Sequence, residues 1–353
     1  MKNKRTNIIH PKILATVLQV PVLYLLMMSC TPEETGSYIM TVEGPIPVED
    51  METVLIHEHV LVDWIGADST GYHRWDRAEV VERVLPYFEE AAQHGVATIF
   101  ECTPAYLGRD PFVLRELADR TGLHIVTNTG YYGAVDNRFM PAHAWQESAG
   151  EIAQRWIGEF EHGIDDSGVR PGFMKISVGE EAGLSDLHRK VVEAAIMTQR
   201  ETGMAIVSHT IGDVPALEQI ALIREAGLSP SVWVWTHAQS GSLEGNLQAA
   251  ERGAWISLDN VNHDPSHEPG EQGSVLWYAD RIERLRDAGH LNRVLLSHDA
   301  GWYDAGEPDG GDYRGYTDLF EHLIPVLQNR GFTEAEIRQL LVENPRKAVG
   351  IRN

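Results

Sequence analysis

The sequence predicts an α/β chain closed as a (β/α)8 barrel, of the type also called a TIM barrel, and three observations carry that prediction. Eight short runs rich in apolar residues recur along the chain, each followed by a helical pattern. Several runs are almost continuously apolar, as strands buried on both faces must be. The helical patterns close on glycine, which takes the left-handed conformation after a last turn at little cost. An open, doubly wound sheet is the alternative, but eight strands each paired with one following helix favour closure.

The strand candidates are 54–58, 97–102, 124–129, 172–177, 205–209, 232–237, 255–258 and 294–297. The helical pattern over 77–94 places Val80, Val81, Val84, Leu85 and Phe88 on one side and stops at Gly95. Pro111 opens the next pattern, 110–120, and Gly122 ends it. Further helices are expected over 144–161, 187–202, 214–226, 243–252 and 275–288. A last one over 333–349 begins with Thr333 as N-cap and Glu336 three residues on, the spacing of a capping box.

The N-terminus reads differently. Lys2, Lys4, Arg5 and Lys12 precede an apolar stretch over 13–28 that Gln19 and Pro21 interrupt. It is short against the roughly 20 residues of a spanning helix, and reads as an export signal. It ends on Ser29-Cys30, which resembles a bacterial lipoprotein signal with Cys30 as the lipidated residue. Met27 and Met28 fit that pattern poorly, so simple secretion stays open. Residues 1–30 are therefore read as a leader, 31–38 as a polar tether and 39–353 as a single domain. The expected location is the periplasm or the cell surface, reached by a lipid anchor.

Composition sets bounds. The 353 residues are 43% hydrophobic, enough for a large core. The formal charge is −23, from 29 basic and 52 acidic residues, which argues against nucleic acid as a partner. Only two cysteines occur, Cys30 in the leader and Cys102 in an apolar run, so no disulfide is expected and the core must hold the fold.

Polar residues at the ends of the strand runs suggest chemistry. His57 and His59 leave the first strand two apart, so alternation aims them the same way. Lys175 lies in the fourth, His209 ends the fifth, His237 the sixth, and Asp299 follows the eighth. Barrel sites form at the C-terminal strand ends. Imidazole and carboxylate together suit zinc and similar divalent ions, and manganese, cobalt or iron could take the same set. A lysine between Met174 and Ile176 is desolvated. As a neutral amine such a residue can add carbon dioxide and become an N6-carboxylated side chain, able to bridge two cations roughly 3.5–4 Å apart.

The chain resembles the phosphotriesterase family of the amidohydrolase superfamily, which includes phosphotriesterase-like lactonases. The resemblance rests on His57-Glu58-His59, Gly108-Arg109-Asp110, Asn128-Thr129-Gly130, Arg170-Pro171-Gly172-Phe173-Met174-Lys175, Ser208-His209-Thr210, Thr236-His237, Leu258-Asp259, Ser297-His298-Asp299 and Glu343-Asn344-Pro345. It implies that His57, His59 and Asp299 hold a buried metal and that His209 and His237 hold an exposed one. Carboxylated Lys175 and a hydroxide would bridge them, the hydroxide attacking a carbonyl or phosphoryl centre while Asp299 takes its proton. It also implies a homodimer.

Substrate choice is written in the loops. Trp64, Tyr106, Tyr131, Tyr132, Trp302 and Tyr303 follow strands and are expected to line the pocket. Tyr132 matches a tyrosine that similar lactonases place beside the exposed metal. Asn260 departs from the family, whose phosphotriesterases often carry histidine there and whose acyl-homoserine lactonases often carry arginine. His263, three residues on, could relay protons. The loop 262–273 and the segment 304–312 are acidic, which favours a small neutral lactone or ester. An amidase or deaminase-like hydrolase on the same metal frame is the second reading. A binding-only lipoprotein should have lost a ligand, and all six ligand positions are filled.

Overall fold

Each barrel strand is a run of apolar residues that ends where a polar one begins. In the computed structural model, which describes residues 36–179 and 183–352, they are Thr53–Glu58, Val96–Glu101, His124–Val126 continued by Asn128–Thr129, Phe173–Ser177, Ile206–His209, Trp233–Thr236, Trp255–Leu258 and Val294–Leu296. The leader with Cys30 and most of the tether lie outside the described residues. The first three strands pair in order, and Asn128–Thr129 begins a six-stranded sheet that runs in order to Val294–Leu296. All these pairings are parallel. The third strand thus serves both sheets, with Thr127 as the break between its halves. Register sets Ser177 and Thr236 beside His209, so the polar ends stand at one height.

No ladder joins the eighth strand to the first among the described residues. The seam is held by individual bonds: His57 N–H donates to Ser297 Oγ at 2.9 Å, Asp299 N–H to the His57 carbonyl at 3.0 Å, and His59 N–H to the Ala300 carbonyl at 2.8 Å. The first strand also departs from simple alternation. Val54 and Ile56 belong to the inner apolar cluster with Phe100, Phe173, Val207, Val234 and Leu295, while Leu55 packs outward. Between Leu55 and Glu58 the register with the second strand slips by one residue, a β-bulge. A bulge re-aims the side chains beyond it, and so His57 follows Ile56 onto the inner face.

The helices form the outer layer. Arg77–Gln93 is capped by Asp76, whose carboxylate accepts from the Ala78 and Glu79 N–H groups. Pro111–Thr121 is capped by Asp110 and closed by Gly122, and Asp186–Thr202 is closed by Gly203. Asp213–Glu225, Leu243–Glu251 and Val275–Asp287 follow. The single helix expected over 144–161 is two, Ala142–Gln146 and Ala149–His162. Ser148 is the reason: its side chain accepts from Glu151 N–H while Glu151 reaches back, a capping box that starts a new helix. The C-terminal helix is also segmented, Glu334–Arg338 and Asn344–Val349 flanking a π-helical Gln339–Glu343.

An N-terminal hairpin was not legible in the pattern. Ser37–Thr41 and Gly44–Pro47 pair with each other, and Ser37–Thr41 also pairs with Ile351–Arg352. Ile39, Val48 and Met51 join the inner cluster and fill the barrel at the end away from the histidines.

Candidate metal centre

Backbone placement brings all six expected ligand residues together at the strand ends. Lys175, on the fourth strand, is 1% exposed, and its Nζ lies 2.7 Å from His57 Nε2. His57 Nε2 is 3.2 Å from His59 Nε2 and 3.5 Å from Asp299 Oδ1, and His59 Nε2 is 3.1 Å from Asp299 Oδ1. The His209 and His237 rings pack edge to face at 4.4 Å, and His237 packs against His57 at 5.2 Å. Asp299 Oδ2 stands 3.9 Å from His237 Nδ1.

Further partners orient the imidazoles. Asp259, fully buried at the end of the seventh strand, lies 3.0 Å from His57 Nδ1 and 3.0 Å from His237 Nδ1. Gln239 Nε2 donates to the same carboxylate at 3.2 Å. His59 Nδ1 bonds Thr103 Oγ1 at 2.8 Å, and His209 Nδ1 bonds the Tyr132 hydroxyl at 3.3 Å. The Nε2 atoms of His57 and His59 turn inward, toward each other, Lys175 and Asp299, as ligand histidines require.

The electrostatics of His59, His209 and Asp299 fit the same role, whereas, against the effect of burial, Asp259 and Asp299 hold His237 above its ordinary value. Burial, opposed by Asp299, holds the His59 imidazole down at about 4. Burial, then the charges of His237 and Lys175, pushes His209 well below its ordinary value. Burial by itself would raise the Asp299 carboxyl, but His57, His59 and His237 pull it far below the usual carboxylate range. Neutral imidazoles and an ionised carboxylate are the forms that bind cations. His209 Nε2 is buried and has no hydrogen-bond partner among the described residues. The donor atoms of His57, His59 and Asp299 lie within 4.8 Å of one another, as do those of His57, His237 and Asp259. These residues fit a divalent cation. Asp259 sits on the Nδ1 side of both rings, so its part is to orient them.

Two of the six expected ligand residues carry strained backbone. His237 has φ 63° and Asp299 φ 51°, left-handed values that cost a non-glycine residue about 1–3 kcal/mol and tend to mark functional positions.

The rim residues divide. Trp302 stacks on His59 at 3.8 Å and on Trp64 at 5.5 Å, and Phe139 links Trp64 to Tyr132. These four aromatic rings wall one side of the centre. Asn260 is exposed beside Asp259. His263 is set elsewhere: its ring stacks on His322 at 3.9 Å and its N–H donates to Asp318. Tyr131 is buried with its hydroxyl on His143, Tyr106 packs against both, and Tyr303 lies in a two-residue strand beside Leu61–Val62. The expectation that these three tyrosines line the pocket gives way to packing roles. Sequence reasoning passed over Asp259, Gln239 and Thr103 as parts of the site. The signal for Asp259 was available: a carboxylate ends the seventh strand as histidines end its neighbours.

A model of the phosphotriesterase family matches residues 37–349. The chain belongs to the phosphotriesterase family. Among the relatives of this family member is the phosphotriesterase homology protein of Escherichia coli, 30% identical over 292 residues, 82% of this chain and 95% of that one. The aryldialkylphosphatase of Saccharolobus solfataricus is 27% identical, covering 86% and 96%. The human N-acetyltaurine hydrolase is 27% identical, covering 76% and 76%. The structure of an organophosphorus hydrolase from Deinococcus radiodurans superposes with a TM-score of 0.79 at 24% identity, over 90% of this chain and 98% of that one. The shared fold is the (β/α)8 barrel. The phosphotriesterase family consists of binuclear metal enzymes, and this member is a metal-dependent hydrolase of small substrates.

Proposed function

We propose that the chain opens lactones or carboxylic esters at a binuclear centre, with phosphotriester hydrolysis as a side activity. The observation that carries the reading is the buried Lys175 amine, 2.7 Å from His57 Nε2 and inside the cluster of histidines and Asp299. In its N6-carboxylated form this side chain would supply an anionic bridge. His57, His59 and Asp299 would hold one cation and His209 and His237 the other, with zinc the ion best suited to the set. When bound, two such ions lower the pKa of a shared water and polarise the substrate oxygen.

The protein's own groups do the rest. Asp299 is the ionised acceptor for the proton that the attacking water loses, and its second oxygen faces His237. Asp259 keeps both imidazoles aimed inward while that proton moves. Trp302 and Trp64 exclude water from one side and offer a flat apolar face. The acidic loop 262–273 and the net charge of −23 disfavour anionic substrates, leaving a neutral lactone or ester. An amide is the second reading, because the human relative is named for hydrolysis of an N-acyl compound.

A hydrolysis screen of metal-loaded protein against lactones, esters, amides and phosphotriesters separates these readings. Lactones or esters should show the highest kcat/KM. Amides in first place would establish the second reading, and no turnover on any class would refute both. Lys175→Ala should lose most bound metal and activity, with short carboxylates restoring part of each. Full metal content in that variant would remove the bridging role. For location we propose export and a lipid on Cys30. Cys30→Ser should then release the protein from membranes, and unchanged fractionation counts against the anchor.

A further inference from the structure

Glu58 stands between two histidines in sequence, yet its side chain leaves their face. It is completely buried at the seam between the first strand and the segment after the eighth. Burying a carboxylate there requires that its oxygens be satisfied. They are, entirely by the segment 297–300. Oε1 accepts from Ser297 Oγ at 2.7 Å, from His298 N–H at 3.0 Å and from His298 Nδ1 at 2.7 Å. Oε2 accepts from Ala300 N–H at 3.0 Å. His298 Nε2 accepts from Leu319 N–H at 3.0 Å, so its proton sits on Nδ1 and points at Glu58.

The chain therefore wraps around one carboxylate, contributing donors from the residues on both sides of Asp299. Asp299 itself is skipped. Its N–H goes instead to the His57 carbonyl, and its backbone takes the left-handed φ of 51°. That turn directs its side chain to His57 and His59. All four partners of Glu58 are donors, and an ionised carboxylate is the side chain of this shape that only accepts.

We propose that Glu58 is a positioning residue, whose carboxylate winds residues 297–300 into the turn that presents Asp299 to the histidines. The proposal rests on the metal-hydrolase reading, which makes Asp299 a ligand and proton acceptor. It assigns to the middle residue of the His57-Glu58-His59 run a task on the far side of the barrel seam.

Glu58→Gln tests it, because the amide keeps the shape and turns a donor toward donors. The full-length metal-loaded variant is compared with the wild type in metal content, rate of metal release to a chelator, kcat, KM and Tm. The expected result is a folded protein that releases metal at least tenfold faster, with kcat down 10–100-fold and KM changed less than threefold, the scale typical of lost outer-sphere support. A variant with a lowered Tm but wild-type metal release and kcat would overturn the proposal and leave Glu58 a plain stabiliser. Should Glu58→Gln fail to fold, Ser297→Ala removes one clamp bond and the His57 N–H partner while leaving the carboxylate in place. It should show the same two effects in smaller measure, and their absence would overturn the proposal. His298→Asn retains a donor at the Nδ1 position and should keep kcat closer to wild type than His298→Ala does. Equal losses in the two would count against the clamp. A wild type that binds no metal would defeat the hydrolase reading instead. The clamp would then be judged by a crystal structure of Glu58→Gln, where Asp299 kept in its left-handed turn sinks it.

Discussion

At Asp259 a single carboxylate meets two imidazoles. Its oxygens hold the Nδ1 atoms of His57 and His237 at 3.0 Å each, on the side away from the centre. Outer carboxylates of this kind fix ring orientation and raise ligand basicity. Asp259→Asn should therefore weaken metal binding about 10–100-fold with little change in Tm; chelator competition measures it, and unaltered affinity would mean the rings are held by packing. A second buried acid works through stability. Glu101 accepts from the Val60 and Thr103 N–H groups through Oε1, while Oε2 has no partner among the described residues, and burial lifts its titration from the ordinary 4.5 to about 7. The folded state thus holds this proton more tightly than the unfolded chain. Its favourable contribution is complete below pH 4.5 and is lost as pH rises through about 7. The loss is on the order of 3 kcal/mol by the usual conversion. Glu101→Gln keeps the acceptor and removes the titration, so urea unfolding at pH 5 and pH 8 should differ less in the variant than in the wild type. An unchanged difference would show that Glu101 is ionised in the native protein throughout.

At the scale of elements, two irregularities place the site. The bulge in Thr53–Glu58 lets His57 follow Ile56 onto the inner face and sends Glu58 to the seam. The seam replaces a strand ladder with point contacts, and these tolerate little change. Gly301 has φ 101°, and a Cβ on it would fall 1.8 Å from the His59 carbonyl oxygen. Gly301→Ala must displace either the turn or the first strand. It is expected to lower Tm by several degrees and to lose metal at temperatures where the wild type retains it. A variant with wild-type thermal unfolding and metal retention would mean the seam can yield. The outer layer is more forgiving. Ser148 caps Ala149–His162 at the surface, and Ser148→Ala should cost about 1 kcal/mol by denaturant unfolding, with metal content unaffected.

For the whole molecule, the proposed reading makes the charge of −23 bear on substrate choice. A neutral ester should show nearly constant kcat/KM from low to moderate salt. An ester of the same size bearing a carboxylate should be poorer at low salt and improve as salt rises, because screening shortens the reach of the acidic rim. Equal salt response for both would place the acidic residues out of the substrate's path. None of the described helices is long and apolar enough to cross a membrane.

The pattern of apolar runs and glycine stops was sufficient to reveal an eight-strand barrel, because strand and helix periods are local properties of the chain. The polar residues of those runs were visible for the same reason: His57, His59, His209, His237 and Asp299 stand at or just past the ends of apolar runs, and Lys175 interrupts one. Roles that depend on what lies opposite were not visible. Asp259 gains meaning only when the first and sixth strands present imidazoles to it. Glu58 gains it from residues some 240 positions away, which no periodicity connects. The aromatic rim was over-read for a related reason: Tyr106, Tyr131 and Tyr303 follow strands as Trp302 does, and only packing decides which rings turn inward. Local pattern is a property of neighbours along the chain, whereas contacts across the seam are chosen by closure of the barrel.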